Sequence, residues 1–184
     1  MSHLERVVVV GSSGSGKTTM ARALAKRLDA PHLEMDAVFH ARGWADTAHV
    51  EFLPTLDEFT TAGRWIVDGN YTSQGTKELV WPRADTFVWL DLPRWTAMAR
   101  VVRRTLRRTA TREVLWGSVR EPFSNLYSLD PYRNIMVWTW TRHSRVRTKY
   151  ETAISEGAWS HATVHRLRTP GEVDRFLESV DAST

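Results

Sequence analysis

The segment Gly11-Ser12-Ser13-Gly14-Ser15-Gly16-Lys17-Thr18 constrains this chain more than any other stretch. It satisfies the phosphate-binding pattern G-x-x-x-x-G-K-[ST] at every specified position. Val7 to Val10 form a short apolar run before it, and a helical pattern begins at Thr18. Strand, glycine-rich loop and helix in that order bring successive backbone N–H groups and a helix N-terminus to bear on one anion. Lys17 then reaches the outer phosphates, and the Thr18 hydroxyl is a ligand for Mg²⁺. Thr19 shares that first turn, so residues 11–19 are the expected seat of a nucleoside triphosphate.

Composition narrows the class. A chain of 184 residues is long enough for one domain with a full core, here residues 1–184, plus a small mobile subregion. It has no cysteine, which excludes a disulfide framework and thiol chemistry and fits a reducing cytosol. The four-valine run is no membrane span, and Met1-Ser-His-Leu-Glu-Arg lacks the apolar core of a signal peptide. A cytoplasmic protein without a membrane partner is expected, as a monomer or homodimer. Its net charge of +4 suits an anionic ligand, and Arg, which dominates over Lys, grips phosphate in a bidentate fork. The nine Trp are expected in the core or lining a groove rather than as a nucleic-acid stacking platform.

Strands and helices alternate, the mark of a parallel sheet covered on both faces. Arg6–Val10 reads as the first strand, and Met20, Ala21, Leu24, Ala25 and Leu28 give the next helix its buried face. His32–Asp36 reads as strand two. Phe52, Leu56 and Phe59 mark a short helix, ended by Gly63, whose start Pro54 is expected to limit. Trp65–Asp68 and Thr86–Asp91 are strands three and four. After Pro93, Trp95, Met98, Ala99, Val102 and Leu106 define one helical face, expected to be apolar and packed. Arg100, Arg103, Arg104, Arg107 and Arg108 define the other. Asp130-Pro131 opens a long helix to about Gly157, His161–Leu167 is strand five, and Thr169-Pro170-Gly171-Glu172 is a capping box before the closing helix.

Two strands end in Asp. Asp68 is followed by Gly69-Asn70, which leaves free backbone at a strand's C-terminal edge, where parallel sheets bind ligands, so it is favoured for the Mg²⁺ shell. Asp91 precedes Leu-Pro and is expected to cap the following helix. Asp36 is expected at the end of strand two, facing the same crevice, as a carboxylate able to orient a hydroxyl nucleophile and accept its proton. His40, Trp44 and Tyr71 are candidates for a small acceptor pocket with Gly69 and Asn70; packing is the alternative for each aromatic. Arg142 falls within a helical stripe of Ile135, Trp138, Val146, Tyr150 and Ala153, where it faces an anion, snorkels or marks a break in the helix.

The loop, the Trp65-Ile-Val-Asp68-Gly69-Asn70-Tyr71 segment and Leu90-Asp91-Leu-Pro93 together resemble the P-loop kinases of the adenylate kinase and shikimate kinase type, over essentially the whole chain. With Asp36-Ala-Val-Phe-His40 and the Arg-rich helix they are most similar to a bacterial adenylate kinase-related group also described as DNA topology modulation proteins. The resemblance implies a three-layer α/β P-loop NTPase fold with a five-stranded parallel sheet in the order 2-3-1-4-5. It also implies a helical lid near residues 105–145, with Thr109–Leu129 at its centre. It further implies phosphate-binding roles for Arg100, Arg104 and Arg142, and passage of the adenine ring beside Arg168-Thr169-Pro170. The activity implied is Mg²⁺-dependent transfer of a phosphoryl group from ATP to a small acceptor. The 31 residues between Asp36 and Asp68 are short beside the acceptor insert of adenylate kinases, which argues against adenosine monophosphate as acceptor. The rival reading is a nucleotide-switched P-loop ATPase with a regulatory or nucleic-acid-binding role; basic charge favours it, but no helix-turn-helix, zinc finger or RNA-binding signature is present.

Overall fold

Val7 to Val10 are at most 1% exposed along strand β1 (Arg6–Gly11), and burial on both faces places that strand inside a sheet. The computed structural model describes residues 4–40, 48–70, 75–111, 114–115, 119–120, 130 and 134–181. Helix α1 (Lys17–Leu28) follows the loop, then β2 (His32–Glu34), α2 (Met35–His40), α3 (Ala48–Thr60) and β3 (Trp65–Asp68). The chain continues through the short α4 (Thr76–Leu79), β4 (Thr86–Leu90) and α5 (Arg94–Thr111). A two-stranded antiparallel ribbon of β5 (Val114–Leu115) and β6 (Val119–Arg120) comes next. Helix α6 (Ile135–Ser155), β7 (Thr163–Leu167) and α7 (Pro170–Asp181) complete it. The main sheet runs β2-β3-β1-β4-β7, all parallel. Counting only its own five strands, this is the expected order 2-3-1-4-5.

Alternation along β1 makes the three layers. Val7 and Val9 face Met20, Ala21 and Leu24 of α1 and Phe176 and Val180 of α7. Val8 and Val10 face Phe52 and Leu56 of α3, Tyr150 and Ala153 of α6, and Trp159. On that second side Phe87 stacks on Trp159 with ring centroids 4.2 Å apart, and Trp81 meets Trp159 edge-on at 5.2 Å. Trp65, Trp81, Trp89 and Trp159 are buried, as the core reading of the tryptophans expects. Among the described residues, no helix is long and apolar enough to cross a membrane.

Four expectations are corrected. Strand two ends at Glu34, not Asp36: the chain turns into α2 at Met35, whose buried side chain packs against Gly69 at the end of β3. Pro54 lies inside α3 rather than limiting its start, because buried Phe52 and Leu56 on either side anchor a helix that tolerates one missing N–H. The long helix starts at Ile135, not Asp130, because the Asn134 side chain accepts from the Met136 N–H (2.9 Å) and caps it there. The inward face of α5 is Ala97, Val101 and Thr105, while Trp95 is 72% and Leu106 58% exposed. A Cβ on Gly14 would lie 2.6 Å from Val101 Cγ2 and closer still to the Ala97 carbonyl oxygen. The helix approaches the loop so closely that only small side chains fit between them, which turns the large apolar residues outward.

Candidate active site

The phosphate loop sits between the C-terminal end of β1 and the start of α1. Gly16 occupies the N-cap of α1 at φ 97°, a left-handed conformation that disfavours a side chain, and a Cβ there would come 3.3 Å from Arg100 Nη1. Gly11 ends β1 opposite Leu90. The hydroxyls of Ser12 and Ser15 are buried without a hydrogen-bond partner, while Ser13 is half-buried, Thr18 half-buried and Thr19 exposed in the first turn of α1. Buried, unsatisfied hydroxyls in a loop of this shape suit an acceptor-rich ligand such as a triphosphate.

Lys17 Nζ donates to the Ser12 carbonyl oxygen at 3.2 Å. Burial pushes its pKa down; the negative charges of Asp36, Asp68 and Glu34 act upward against that, and Arg104 acts downward. Five groups from α1, β2, α2, β3 and α5 therefore share one electrostatic neighbourhood. Arg100 Nη1 donates to the Ser15 carbonyl oxygen at 2.8 Å, so the structure brings Arg100 and Arg104 to the loop through the side of α5 opposite the exposed apolar residues.

Asp68 is 1% exposed, and its Oδ2 accepts no hydrogen bond; His32 Nε2 lies 3.5 Å away. Together with the Thr18 hydroxyl, an unsatisfied buried carboxylate fits a hard divalent cation of the Mg²⁺ kind, shared with phosphate oxygens. Among the described residues, no three acidic, His or Cys groups cluster into a metal cage. Asp91 plays a part other than helix capping. It is 4% exposed; Oδ1 accepts from Arg147 Nε (2.7 Å), and Oδ2 accepts from Arg166 Nε (2.9 Å) and Nη2 (2.7 Å). Those two guanidinium groups occupy the carboxylate and leave Asp68 as the strand-end acid open to a metal.

Asp36 stands in the first turn of α2, immediately past β2, rather than on the strand itself. Glu34, unremarked in the sequence reading, ends β2 opposite Asp68. Its pKa is raised, first by burial and then by the charges of Asp68 and Asp36, with Arg22, 3.1 Å away, and His32 working in the other direction. What brings Glu34 to the site is the parallel pairing of β2 with β3, which no local spacing in the sequence signals.

Gly69 extends the sheet pairing through its N–H to the Val9 carbonyl oxygen at 3.3 Å. Asn70 is a structural knot: Nδ2 donates to the Gly11 carbonyl (2.7 Å), and Oδ1 accepts from the Tyr150 hydroxyl (2.7 Å). Arg142 flanks rather than enters the buried stripe of α6, with its guanidinium 4.7 Å from the Trp138 ring centroid; the inward residues are Thr139, His143, Tyr150 and Ala153. At α7, the Thr169 hydroxyl accepts from the Glu172 N–H (3.2 Å), the N-cap half of the expected box, while Glu172 accepts from the Arg168 N–H (2.5 Å), one residue before the cap. His40 belongs to α2, its side chain outside the described residues, as are Trp44, Tyr71 and most of the segment between α5 and α6.

A family model described as ATPase family associated with various cellular activities (AAA) matches residues 7–62. No curated protein matches the chain. Among solved structures, the chain is similar to a shikimate kinase from Acinetobacter baumannii in complex with shikimate. Identity is 17%, over 97% of this chain and 92% of that one, with a TM-score of 0.55. It is also similar to a shikimate kinase from Bacteroides thetaiotaomicron, at 13% identity over 97% of both chains and a TM-score of 0.54. With the sheet order and the loop between β1 and α1, these likenesses show the fold: the chain is an α/β P-loop NTPase fold of the kinase type.

Proposed function

We propose that the protein is a Mg²⁺-dependent phosphotransferase that moves the γ-phosphoryl group of ATP to a hydroxyl of a small acceptor. The reading rests on one observation, the convergence of Lys17, Asp36, Asp68 and Arg104 on a single neighbourhood at the phosphate loop. A carboxylate base beside a metal-suited carboxylate and two cations is the set that hydroxyl phosphorylation needs, whereas a nucleotide switch needs no acceptor base.

In this reading the amides of residues 11–19 and Lys17 hold the phosphate chain, and Thr18 and Asp68 hold the metal. There Mg²⁺ would supply charge neutralisation for the transferred group. Asp36 accepts the proton of the acceptor hydroxyl as that hydroxyl's oxygen bonds to the γ-phosphorus. The bond from that phosphorus to the β–γ bridging oxygen breaks, and ADP leaves. Arg100 and Arg104 balance charge on the group in flight, and Arg142 approaches from the lid side. His40, Trp44, Gly69, Asn70 and Tyr71 border the acceptor; Thr169 and Pro170 border the adenine. The region near 105–145 closes over both and excludes water. The single domain, the cytoplasmic setting and kinship with the adenylate kinase-related group belong to the same proposal, with nucleic acid outside it.

The test is a screen of small hydroxylated metabolites for ATP-dependent phosphorylation, with an ATP-only control and Lys17→Ala beside wild type. An acceptor phosphorylated by wild type and not by the variant is expected. Hydrolysis of ATP that no acceptor diverts, coupled to binding of a macromolecule, would favour the ATPase reading.

A further inference from the structure

Helix α6 lies across the C-terminal edge of the sheet and is tied there at several points. His143 Nε2 is 3.0 Å from the Leu92 carbonyl oxygen, Arg147 bonds Asp91 at the end of β4, and Tyr150 bonds Asn70 at the end of β3. Between these last two anchors stands Lys149. Its ammonium is half-buried and donates to the Asn70 carbonyl oxygen at 3.3 Å, two residues past Asp68.

Three features set this lysine apart. An ammonium has three donors, and one backbone carbonyl engages only one of them. Among the described residues, no carboxylate pairs with it. Away from the phosphate loop, Arg147 and Arg166 are matched by Asp91, Arg22 by Glu34, and Arg83 by Asp57. Burial also pushes the Lys149 pKa down, as expected of a cation that has lost water without gaining an anion. Its ring contact with Tyr150, 5.4 Å to the centroid, is a weak substitute. Arg142 lies seven residues earlier, about two turns along the same side of α6.

We infer that Lys149 is a specificity-determining residue for the acceptor, and that the acceptor carries an anionic group, a carboxylate or a phosphate, which the Lys149 ammonium binds beside Asn70. The inference rests on the phosphotransfer reading and adds the chemical class of its second substrate. An arriving anion would take up the free donors and restore the charge balance that burial removed.

The test uses wild type, Lys149→Met and Lys149→Arg, each saturated with Mg²⁺ and a non-hydrolysable ATP analogue so that the phosphate loop is filled. Three polyols of one carbon skeleton are titrated calorimetrically: gluconate, glucitol 6-phosphate and neutral glucitol. One charged polyol should bind wild type at least about tenfold more tightly than glucitol, in keeping with a charge-assisted contact. That preference should vanish in Lys149→Met and largely return in Lys149→Arg, with analogue affinity and melting temperature unchanged in both. Which charged polyol binds separates carboxylate from phosphate. Equal binding of charged and neutral polyols, no binding of any, or a preference that survives in Lys149→Met would overturn the inference. Failure of wild type to bind the analogue would instead sink the phosphotransfer reading, and this inference with it.

Discussion

Arg100 donates its Nη1 hydrogen bond to the carbonyl oxygen of Ser15 at 2.8 Å, so the arginine helix α5 is bonded directly to the phosphate loop. The contact divides the arginines of one helix by role. Arg100 and Arg104 lie on the loop side, where the charge of Arg104 reaches Lys17, while Arg103 faces solvent.

That division is testable. Arg100→Ala should slow turnover on the order of 10²-fold, the usual loss when a positioned donor to a transferring group is removed. Arg103→Ala should leave turnover within about twofold, as expected of an exposed surface charge. Steady-state kinetics on both variants decide it; equal effects would place the catalytic charge elsewhere. A salt titration of DNA binding checks the rival reading, which requires both substitutions to weaken binding similarly.

Asp36→Asn keeps size and hydrogen-bonding capacity but removes the base. Turnover should fall by about 10²-fold or more while nucleotide affinity stays at the wild-type level. Rapid-quench turnover and analogue binding separate the two. Unchanged turnover would leave Asp36 as the N-terminal acid of α2 and point to Glu34.

Glu34 carries a pH signature. Its folded pKa stands above the ordinary 4.5 because of burial and the charges of Asp68 and Asp36, so the folded state holds its proton more tightly than the unfolded one. The stability gained from that proton is full below pH 4.5 and is lost as pH rises through the folded value. Metal-free Glu34→Gln should therefore melt higher than wild type at pH 7, with the gap closing as pH falls toward 4.5. Melting curves across that range check it, and a gap independent of pH would rule it out.

Tyr150→Phe deletes the donor to Asn70 Oδ1 inside the core. Leaving that acceptor unsatisfied should cost about 1–2 kcal/mol. At roughly 2–4 °C per kcal/mol for a domain of this size, calorimetry resolves the shift. A second effect is expected in nucleotide affinity, because Asn70 also holds the Gly11 carbonyl at the start of the loop.

What could be read in advance was local. The spacing of Gly11, Gly16, Lys17 and Thr18 identifies the phosphate loop because the backbone geometry that cradles phosphate demands those residues in succession. The unbroken Val7–Val10 run and the Met20, Leu24 and Leu28 period of α1 are likewise properties of neighbours along the chain. The Thr169 cap of α7 formed for the same reason.

Elsewhere the information lay between distant segments. The outward turn of Trp95 and Leu106 on α5 depends on how closely that helix meets Gly14, a distance set by β1 and β4 together. Arg147, Arg166 and Asp91 come from α6, β7 and the end of β4, and nothing in the Leu90-Asp91-Leu92-Pro93 segment names its partners. Glu34 and Lys149 join the site for a comparable reason: parallel pairing sets Glu34 opposite Asp68, and docking of α6 sets Lys149 over Asn70. The sequence by itself determined the loop, the alternating strands and helices and the ligand class they bind, because helix period, strand period and glycine conformation act over a few residues. Which face of α5 turned inward, which aspartate was spent on arginines and which lysine came to lie over Asn70 were decided only by tertiary packing, because charge balance and burial are properties of groups brought together from across the chain.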